Sequence, residues 1–560
     1  MTTAFCKLSR SIRLAAFAGC LASALVGTAA AAPSQRQASE RQLSVIGYSS
    51  EQGLQHAVAL SGGRIVRRIP ALHVAVVRAP VAALQVLDHV RQIRYSQRPV
   101  PRYELIDPGV VAAPVPGGAY EWQYAATRET LVAPSVAQAA SAVTVAVIDT
   151  GADVTAPDLA AKAPTTWSVL DGSTDVTDYQ GHGTFVSSLA AGSGTNGDGI
   201  AGFGGDAKLL VVQAADGSGV FTDVDEAAGI VYAVDHGAKV INMSFGGPSS
   251  SPTEQAAINY AVSHGALLVA AAGNSGLSGN APSYPAALLQ PLGSNGQGGV
   301  GLAVSATSLS GARATFSNYG SYISLAAPGE NVFGAVSSDS DPSEWPRQSL
   351  PGSALGVYGY SSGTSFSSPE VAGAAALVWG ANPELKATDV AEIIKQSASG
   401  NGGWNQDTGF GILDAAAAVA RAQGTTVTLP AVNLSGTRSG LRVSLSWSSP
   451  GAVSYRLSVA RDRGASQILI GSTAATAATY QLDPGHSYAF TATATDAFGF
   501  TVSSAPYAVT LSYSAVKLGL RASRFRGRQT RLVGQHRCRN LDLDAPARQL
   551  PAPGAVHRRR

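Results

Sequence analysis

Short apolar runs alternate with Ala-rich helical patterns between residues 121 and 423, and this alternation constrains the fold more than any other feature of the chain. Each run is continuously apolar, which is typical of parallel strands buried on both faces. The runs cover residues 143–148, 209–213, 240–243, 267–271 and 301–306, and the helical patterns cover 184–191, 222–235 and 253–263. The sequence therefore predicts an α/β domain with a doubly wound, mostly parallel sheet and functional residues at the carboxyl ends of its strands.

Two smaller regions flank this domain. Residues 33–104 combine strand-like runs with two amphipathic segments, which predicts a small α+β domain, and 105–120 is a Pro/Gly-rich linker. Residues 425–514 alternate apolar and polar residues between turn signals, which is typical of an all-β sandwich. Residues 515–560 contain eleven Arg without hydrophobic periodicity and are predicted to be a basic disordered tail, with an anionic-surface anchor or a reading-frame shift in the source DNA as alternatives.

The first 32 residues have the pattern of an export signal, a basic start followed by an apolar run (14–27) and an Ala-rich cleavage region. The run is shorter than the roughly 20 residues that span a bilayer, so we expect no membrane span and a secreted, extracellular protein. A periplasmic protein, or one anchored by a lipid at Cys20, is the alternative. Removal of the signal leaves Cys538 alone, which excludes an internal disulfide.

The formal net charge of +3 is unevenly distributed. The tail from 521 to 560 carries +9 and the first 32 residues carry +3, which leaves −9 for residues 33–520. A mildly acidic body argues against nucleic acid as the natural partner.

Three segments of the α/β region place a reactive residue at a strand end or a helix start. Asp149 closes the first apolar run, and His182 lies between two glycines at the start of a helical pattern. Ser365 precedes Pro369, which fits the first turn of an Ala-rich helix, so the Ser365 hydroxyl is expected just before that helix, near unpaired N–H groups. Each segment alone has an ordinary explanation, such as a helix cap or a packing histidine.

In the chain order Asp, His, Ser, these segments together resemble the motifs of the subtilisin-like serine peptidases. Residues 242–247 and 270–276 resemble the substrate strand and the oxyanion segment of that family. The resemblance implies that Ser365 is the nucleophile, His182 the general base and acid, and Asp149 the group that orients the imidazole. It also implies that Asn274 donates a hydrogen bond to the oxyanion.

The same resemblance implies a set of substrate-binding residues. Two strand segments would clamp an extended peptide, an aromatic residue would line the subsite four residues before the cut, and a serine would lie at the floor of the primary pocket. These residues are Gly217, Ser218, Gly219, Ser244, Phe245, Gly246, Phe221 and Ser283. No acidic residue occurs at 283–285, so we expect broad specificity with an apolar or aromatic preference.

Further expectations also follow from the resemblance. Residues 33–104 resemble an inhibitory propeptide, so the protein is expected to be an autoprocessed zymogen and a monomer that acts on polypeptide substrates. Residues 425–514 resemble a fibronectin type III domain, with Tyr488 as its corner tyrosine. Catalysis needs no cofactor. A structural calcium in the loop 195–202 stays open, because Asn196 and Asp198 offer oxygen ligands but such a loop is equally typical of a surface turn.

Two other functions compete with this interpretation. A non-catalytic surface protein would need none of the reactive residues, and labelling with a phosphonofluoridate would separate the two. An autotransporter would need a barrel, for which about 90 residues of β pattern are too few. One departure from the family pattern bears on the site, since Glu370 stands where His is common and is expected to change the charge balance there.

Overall fold

The computed structural model describes residues 41–87, 89–106, 121–196, 199–348, 357–400, 402–425, 432–449, 452–496 and 501–511. The predicted signal peptide, most of the predicted linker and the predicted basic tail lie outside these residues. Within the described ranges, no helix is long and apolar enough to cross a membrane. The chain forms two compact units, one made mainly of residues up to Ala431 and one made mainly of residues from Val432 onward.

Residues 41–97 form the small α+β domain that the sequence predicts. Its elements are β1 (Arg41–Tyr48), α1 (Glu51–Leu60), β2 (Arg64–Ile69), β3 (Val74–Pro80), α2 (Val81–Leu87) and β4 (Ile93–Gln97). The strands form an antiparallel sheet in the order β2-β3-β1-β4. Successive side chains of a strand point to opposite faces. Ile46 accordingly packs in the domain's own core, whereas its neighbour Val45 belongs to the same apolar cluster as Ile230 and Ile258 of the next domain.

The next domain is built on a seven-stranded parallel sheet with helices on both faces. Its elements, in chain order, are β5 (Pro101–Glu104), α3 (Trp122–Ala126), α4 (Pro134–Ala139), β6 (Thr144–Asp149), α5 (Pro157–Ala160), β7 (Thr165–Ser168), α6 (His182–Ala191), β8 (Lys208–Gln213), β9 (Val220–Thr222), α7 (Asp223–Asp235), β10 (Val240–Met243), β11 (Phe245–Gly246), α8 (Pro252–Ser263), β12 (Leu267–Ala271), α9 (Ala286–Leu289), β13 (Gly301–Thr307), β14 (Leu325–Pro328), β15 (Val332–Ala335), β16 (Tyr358–Ser361), α10 (Thr364–Ala381), α11 (Ala387–Ser397) and α12 (Ala415–Ala422).

The sheet has the order β14-β13-β12-β10-β6-β8-β7, with all its pairs parallel. Alternate residues of β6 enter different cores, Val145 with helices α6 and α10, and Ala146 with helices α7 and α8. Both faces are therefore buried, which explains the continuous apolar runs and confirms the predicted doubly wound α/β class.

The start of helix α10 differs from the prediction. The helix begins at Thr364, so Ser365 lies within its first turn instead of before it, and Pro369 lies inside the helix. Proline has no N–H, so the carbonyl four residues earlier loses its helical donor. That carbonyl belongs to Ser365 and accepts a hydrogen bond from Ser244 Oγ at 2.7 Å. A hydrogen bond from Ser244, which is distant in the chain, thus replaces the helical hydrogen bond that Pro369 cannot donate.

The C-terminal unit is all-β, as the sequence predicts. Its strands are β17 (Asn433–Ser439), β18 (Arg442–Ser448), β19 (Ala452–Arg461), β20 (Gln467–Thr473), β21 (Ala477–Gln481), β22 (Ser487–Asp496), β23 (Thr501–Ser503) and β24 (Tyr507–Thr510). One sheet has the order β17-β18-β21 and the other the order β20-β19-β22-β23, with β24 also paired to β22. Tyr488 OH accepts the Asp483 N–H at 2.9 Å, a bond of the kind found in tyrosine corners.

Candidate active site

Asp149 and His182 meet at the carboxyl edge of the parallel sheet. Asp149 is the last residue of β6, and His182 is the first residue of α6. Nδ1 of His182 lies 2.7 Å from Oδ1 of Asp149, which also accepts the Thr150 N–H at 2.8 Å. Both side chains are buried. The carboxylate therefore holds one nitrogen of the imidazole and leaves Nε2 for other chemistry.

A second buried carboxylate, Asp178, holds the backbone around the histidine. It accepts the N–H groups of Gly181 and Thr184, each at 2.8 Å, and the hydroxyl of Thr150 at 2.8 Å. These bonds connect the start of α6 to the residue that follows Asp149. Asp149 thus holds the imidazole ring itself, and Asp178 holds the backbone that carries it.

The pKa of His182 is set by opposing effects. Burial lowers it, but the charge and hydrogen bond of Asp149, together with the charges of Glu104 and Asp178, raise it above its ordinary value. The net effect is an imidazole that takes up a proton at a higher pH than a solvent-exposed histidine does. Its Nε2 atom has no hydrogen-bond partner among the residues the structure describes.

Ser365 Oγ lies between Ser244, which directly precedes strand β11, and the backbone of Leu105. It donates to the Ser244 carbonyl at 2.6 Å and accepts the Leu105 N–H at 3.0 Å. In this arrangement the Ser365 proton is directed at Ser244 instead of at His182. A rotation of the hydroxyl is therefore needed before the imidazole can accept that proton.

Asn274 contacts the same stretch of backbone from the other side. Its Nδ2 donates to the Leu105 carbonyl at 2.5 Å. Its Oδ1 accepts the N–H of Thr364 at 3.0 Å and the hydroxyl of Thr364 at 2.8 Å. Because both donors on Thr364 hold the amide oxygen, the amide nitrogen is directed at the Leu105 carbonyl.

Residues 101–105 cross the site as an extended strand. Strand β5 lies between β11 and β9 in a three-stranded sheet and is antiparallel to both, with Arg102 paired to Phe221 and Glu104 paired to Phe245. This places the Leu105–Ile106 peptide bond at Ser365 and Asn274. The bond lies one residue beyond the boundary that the sequence placed after residue 104.

Most of the predicted substrate-binding residues surround strand β5, but residues 217–219 form a turn instead of the strand that was expected. Phe221 of β9 and Phe245 of β11 form an edge-to-face pair with ring centroids 4.7 Å apart. The strand that pairs with β5 begins only at Val220, whereas Gly217, Ser218 and Gly219 form the turn that leads into it. The reason is local, because the side chain of Asp216 accepts the Ser218 N–H and hydroxyl and closes that turn.

Gly246 and Ser283 lie where Leu105 projects. A Cβ at Gly246 would lie 2.0 Å from Ser283 Oγ and 3.2 Å from Leu105 Cδ1, so a side chain here would displace the Ser283 hydroxyl and crowd Leu105. Ser283 is buried beside it. The Leu105 side chain thus occupies the position expected of the primary pocket.

Sequence reasoning missed several residues that complete the site. Thr364, which orients Asn274, stands next to Ser365 and was detectable from that motif. Gln180, which donates to Glu104 Oε1 at 2.8 Å, stands two residues before His182. Arg102 and the carboxylates that bind it showed no local signal, because their residues are far apart in the chain.

Glu370 lies inside helix α10, five residues after Ser365. It is fully buried in α10, and this burial raises the pKa of its carboxyl group well above the ordinary value. The carboxyl groups that influence His182 are those of Asp149, Glu104 and Asp178. The effect of Glu370 on the charge balance of the site stays a prediction.

The described residues at the start of the loop proposed for calcium form side-chain hydrogen bonds. Asn196 Nδ2 donates to Asp158 Oδ1 at 2.8 Å, and Tyr358 OH donates to Asp158 Oδ2 at 3.0 Å. Asp198 lies outside the described residues. In the part of the chain that the structure describes, no group of three or more His, Cys, Asp or Glu side chains could hold a metal ion.

An α/β domain with an Asp–His pair, a serine in the first turn of a helix and an asparagine opposite it defines the class of subtilisin-like serine peptidases. Comparisons with known proteins agree with this class. The model of the family described as the Subtilase family matches residues 140–411. Thermitase from Thermoactinomyces vulgaris is 36% identical over 254 residues, which are 45% of this chain and 80% of thermitase.

Two further similarities describe how far the likeness extends. A thermophilic serine proteinase from Bacillus sp. (strain AK1) is 33% identical over 265 residues, which are 47% of this chain and 58% of that relative. The crystal structure of fervidolysin from Fervidobacterium pennivorans, described as a keratinolytic enzyme related to subtilisin, matches with a TM-score of 0.59 at 24% identity and covers 84% of this chain and 78% of that one. This last match shows a shared fold. The chain therefore belongs to the subtilase family of subtilisin-like serine endopeptidases.

Proposed function

We propose that this chain is a secreted serine endopeptidase, made as a zymogen, that cuts its own chain between Leu105 and Ile106. One observation carries the proposal. The Leu105 carbonyl accepts from Asn274 Nδ2 at 2.5 Å, while the Leu105 N–H donates to Ser365 Oγ at 3.0 Å. The peptide bond after Leu105 is thus held between a nucleophile and a hydrogen-bond donor for the oxygen on which negative charge would develop.

The reaction begins when Ser365 Oγ turns from the Ser244 carbonyl toward Nε2 of His182. Oγ attacks the Leu105 carbonyl carbon while Nε2 takes the hydroxyl proton, and Asp149 stabilises the imidazolium through Nδ1. The oxygen of the tetrahedral intermediate is held by Asn274. His182 then gives its proton to the Ile106 nitrogen, the C–N bond breaks, and Leu105 remains as an ester on Ser365. Water, deprotonated by His182, cleaves the ester and restores the serine.

Substrates are proposed to be extended, unfolded stretches of polypeptide. Strands β9 and β11 bind β5 through main-chain pairing, which any extended peptide can form. Leu105 beside Gly246 and Ser283 supports an apolar preference at the residue before the cut.

The domain formed by residues 41–97 is proposed to be the inhibitory propeptide. It contacts the peptidase domain through the face of its sheet that contains Val45 and through an ion pair between Arg67 and Asp225. Its connection to β5 makes cleavage after Leu105 an intramolecular reaction, and intramolecular reactions have high effective concentrations. The same contacts would keep the domain in the cleft after the cut, as an inhibitor.

Three finer assignments remain predictions. Secretion rests on the export pattern of the first 32 residues, and the fibronectin type III identity of the C-terminal unit rests on its two sheets and on the Tyr488 bond. Structural calcium in the loop 195–202 is tested by the melting temperature with and without a chelator, and an unchanged value would exclude it.

The central experiment is fluorophosphonate labelling combined with N-terminal sequencing of the purified product. An assembled triad activates one serine, so we expect one label, on Ser365, and a new N-terminus at Ile106. Labelling without this N-terminus would place the processing bond elsewhere, and the absence of Ser365 labelling would contradict the endopeptidase assignment.

A further inference from the structure

A buried arginine stands at the fourth position before the Leu105–Ile106 bond. Arg102 belongs to β5 and is 0% exposed. Side chains of a strand alternate between its faces, so Arg102 and Glu104 are directed to one side and Tyr103 to the other. Tyr103 is 46% exposed, which shows that the two faces of this strand have different surroundings.

Two buried carboxylates bind the guanidinium group. Arg102 Nε donates to Glu226 Oε2 at 2.7 Å, and Arg102 Nη2 lies 2.7 Å from Glu254 Oε1. Nη1 donates to the carbonyls of Pro101 and Ser249 at 3.1 and 3.4 Å. The side chains of Arg102, Glu226 and Glu254 are all 0% exposed.

The pocket is shaped for this side chain. A Cβ at Gly247 would lie 2.6 Å from the Pro101 carbonyl oxygen, 2.7 Å from Arg102 Nη1 and 3.3 Å from Arg102 Cδ, so the glycine leaves room for both the backbone of β5 and the guanidinium. The planar guanidinium contacts a different carboxylate through each of Nε and Nη2, whereas the ammonium group of a lysine is a single point charge.

Helix capping does not account for both carboxylates. Glu254 does cap α8, since its Oε2 accepts the Ser251 N–H at 3.2 Å, but its other oxygen faces Arg102. Helix α7 is capped by Asp225, which accepts from Thr222. Glu226 has no such role, and its Oε1 has no hydrogen-bond partner among the described residues. Among the residues that the structure describes, Arg102 thus donates the hydrogen bond that the Glu226 carboxylate accepts.

We propose that Glu226 and Glu254 make the subsite for the fourth residue before the cleaved bond selective for arginine, in the protein's own chain and in its substrates. This inference rests on the proposed function, because Arg102 is in a subsite only if the bond after Leu105 lies at the nucleophile. An apolar residue at this position would leave two buried carboxylates without a cation. Burial raises the pKa of both, so the pocket would then have to take up protons to receive such a residue.

The test compares peptides of the form Xaa-Ala-Ala-Leu-p-nitroanilide on the processed enzyme. Xaa is arginine, its neutral isostere citrulline, lysine or leucine. We expect kcat/KM for arginine to exceed that for citrulline by about tenfold to a hundredfold, because the citrulline peptide forfeits charged hydrogen bonds in a buried site. Moving arginine one position nearer the cut, where the exposed Tyr103 lies, is expected to remove the advantage.

Variants identify the carboxylates. Glu226→Gln and Glu254→Gln are each expected to reduce the ratio of arginine to citrulline to about threefold or less, and to raise kcat/KM for the leucine peptide, because each removes a buried carboxylate that this peptide leaves without a cation. The matched control is Asp225→Asn, which removes a charge from the same helix terminus but contacts Arg67, and it is expected to keep the ratio. A control that lowers the ratio equally would overturn the assignment in favour of a general negative potential.

The outcomes separate the two claims. Equal cleavage of the arginine and citrulline peptides by the wild-type enzyme overturns the arginine subsite and leaves the endopeptidase assignment intact. The absence of Ser365-dependent cleavage of every peptide overturns the proposed function and the subsite with it. The wild-type series decides the question even if a glutamine variant does not fold.

Discussion

The two ends of the segment from Arg102 to Leu105 are recognised in different ways. At the reacting end, Ser365 and Asn274 contact the N–H and the carbonyl of Leu105, groups that every peptide has. At the other end, Glu226 and Glu254 contact the Arg102 side chain, a group that few peptides offer. One strand therefore combines chemistry that accepts any backbone with a contact that selects one side chain.

Ser365→Ala tests the reacting end with the largest expected effect. Without the nucleophile, processing should fall by about 10⁴-fold or more, a magnitude established for this same family. The variant should accumulate as a precursor that retains residues 41–105, whereas the wild type should lose them. Intact mass of both proteins, purified from a host lacking other secreted proteases, checks this. Trimming of the variant at the same bond would show that processing occurs in trans.

Asn274→Ala should be the next largest effect. Removing one oxyanion donor lowers kcat by about 10²- to 10³-fold, a range that was itself measured in this family. Steady-state kinetics on the leucine and arginine peptides provide the measurement. If the two ends act separately, the preference for arginine should survive unchanged. A loss of that preference would mean that the ends are coupled.

Arg102→Gln acts at the opposite end of the strand. Glutamine cannot supply the charge that the two buried carboxylates bind, so self-processing should slow by about tenfold, while the active site keeps all its groups. The appearance of the Ile106 N-terminus over time, followed by mass spectrometry, gives the rate. Processing as fast as in the wild type would show that the ion pairs of Arg102 make no contribution to presentation of the bond.

Thr364→Val removes the hydroxyl that holds the Asn274 amide oxygen and leaves the Thr364 N–H in place. The hydroxyl donates to the Asn274 amide oxygen and accepts the Gly273 N–H at 3.1 Å, and because it only positions the amide, its loss should lower kcat by about tenfold with KM unchanged. Thr364→Ser retains the hydroxyl and should restore kcat. An equal loss in both variants would indicate that the methyl group, and not the hydroxyl, matters.

The pH profile gives the smallest expected effect. Because His182 must be neutral to accept the serine proton, activity is lost as the pH falls through its raised pKa. Glu104 contributes to that rise, so a substrate with Glu two residues before the cut should lose kcat at a higher pH than the matched Gln substrate. Coincident acidic limbs for the two substrates would contradict a contribution from this carboxylate.

The sequence predicted the elements that local patterns define. The apolar runs became the central strands of the parallel sheet, because strands buried on both faces require apolar residues at every position. The pairing of Asp149 with His182 was predicted from the resemblance of their segments to the motifs of the family. The sequence did not predict the start of α10, because its Pro369 reads as an N-terminal signal when the distant Ser244 that compensates for it is unknown.

By itself, the amino-acid sequence determined the α/β class and the family and predicted the residues at the reacting end, because each motif is a short string whose backbone geometry is local. The tertiary structure decided which peptide bond lies at Ser365, the hydrogen bonds of the serine hydroxyl, and the pocket of Arg102. Arg102 lies more than a hundred residues of chain before Glu226 and Glu254, yet the three residues share one buried site. Ion pairs between residues so far apart in the chain produce no periodicity or motif spacing in the sequence. The pocket of Arg102 could therefore be found only in the folded structure.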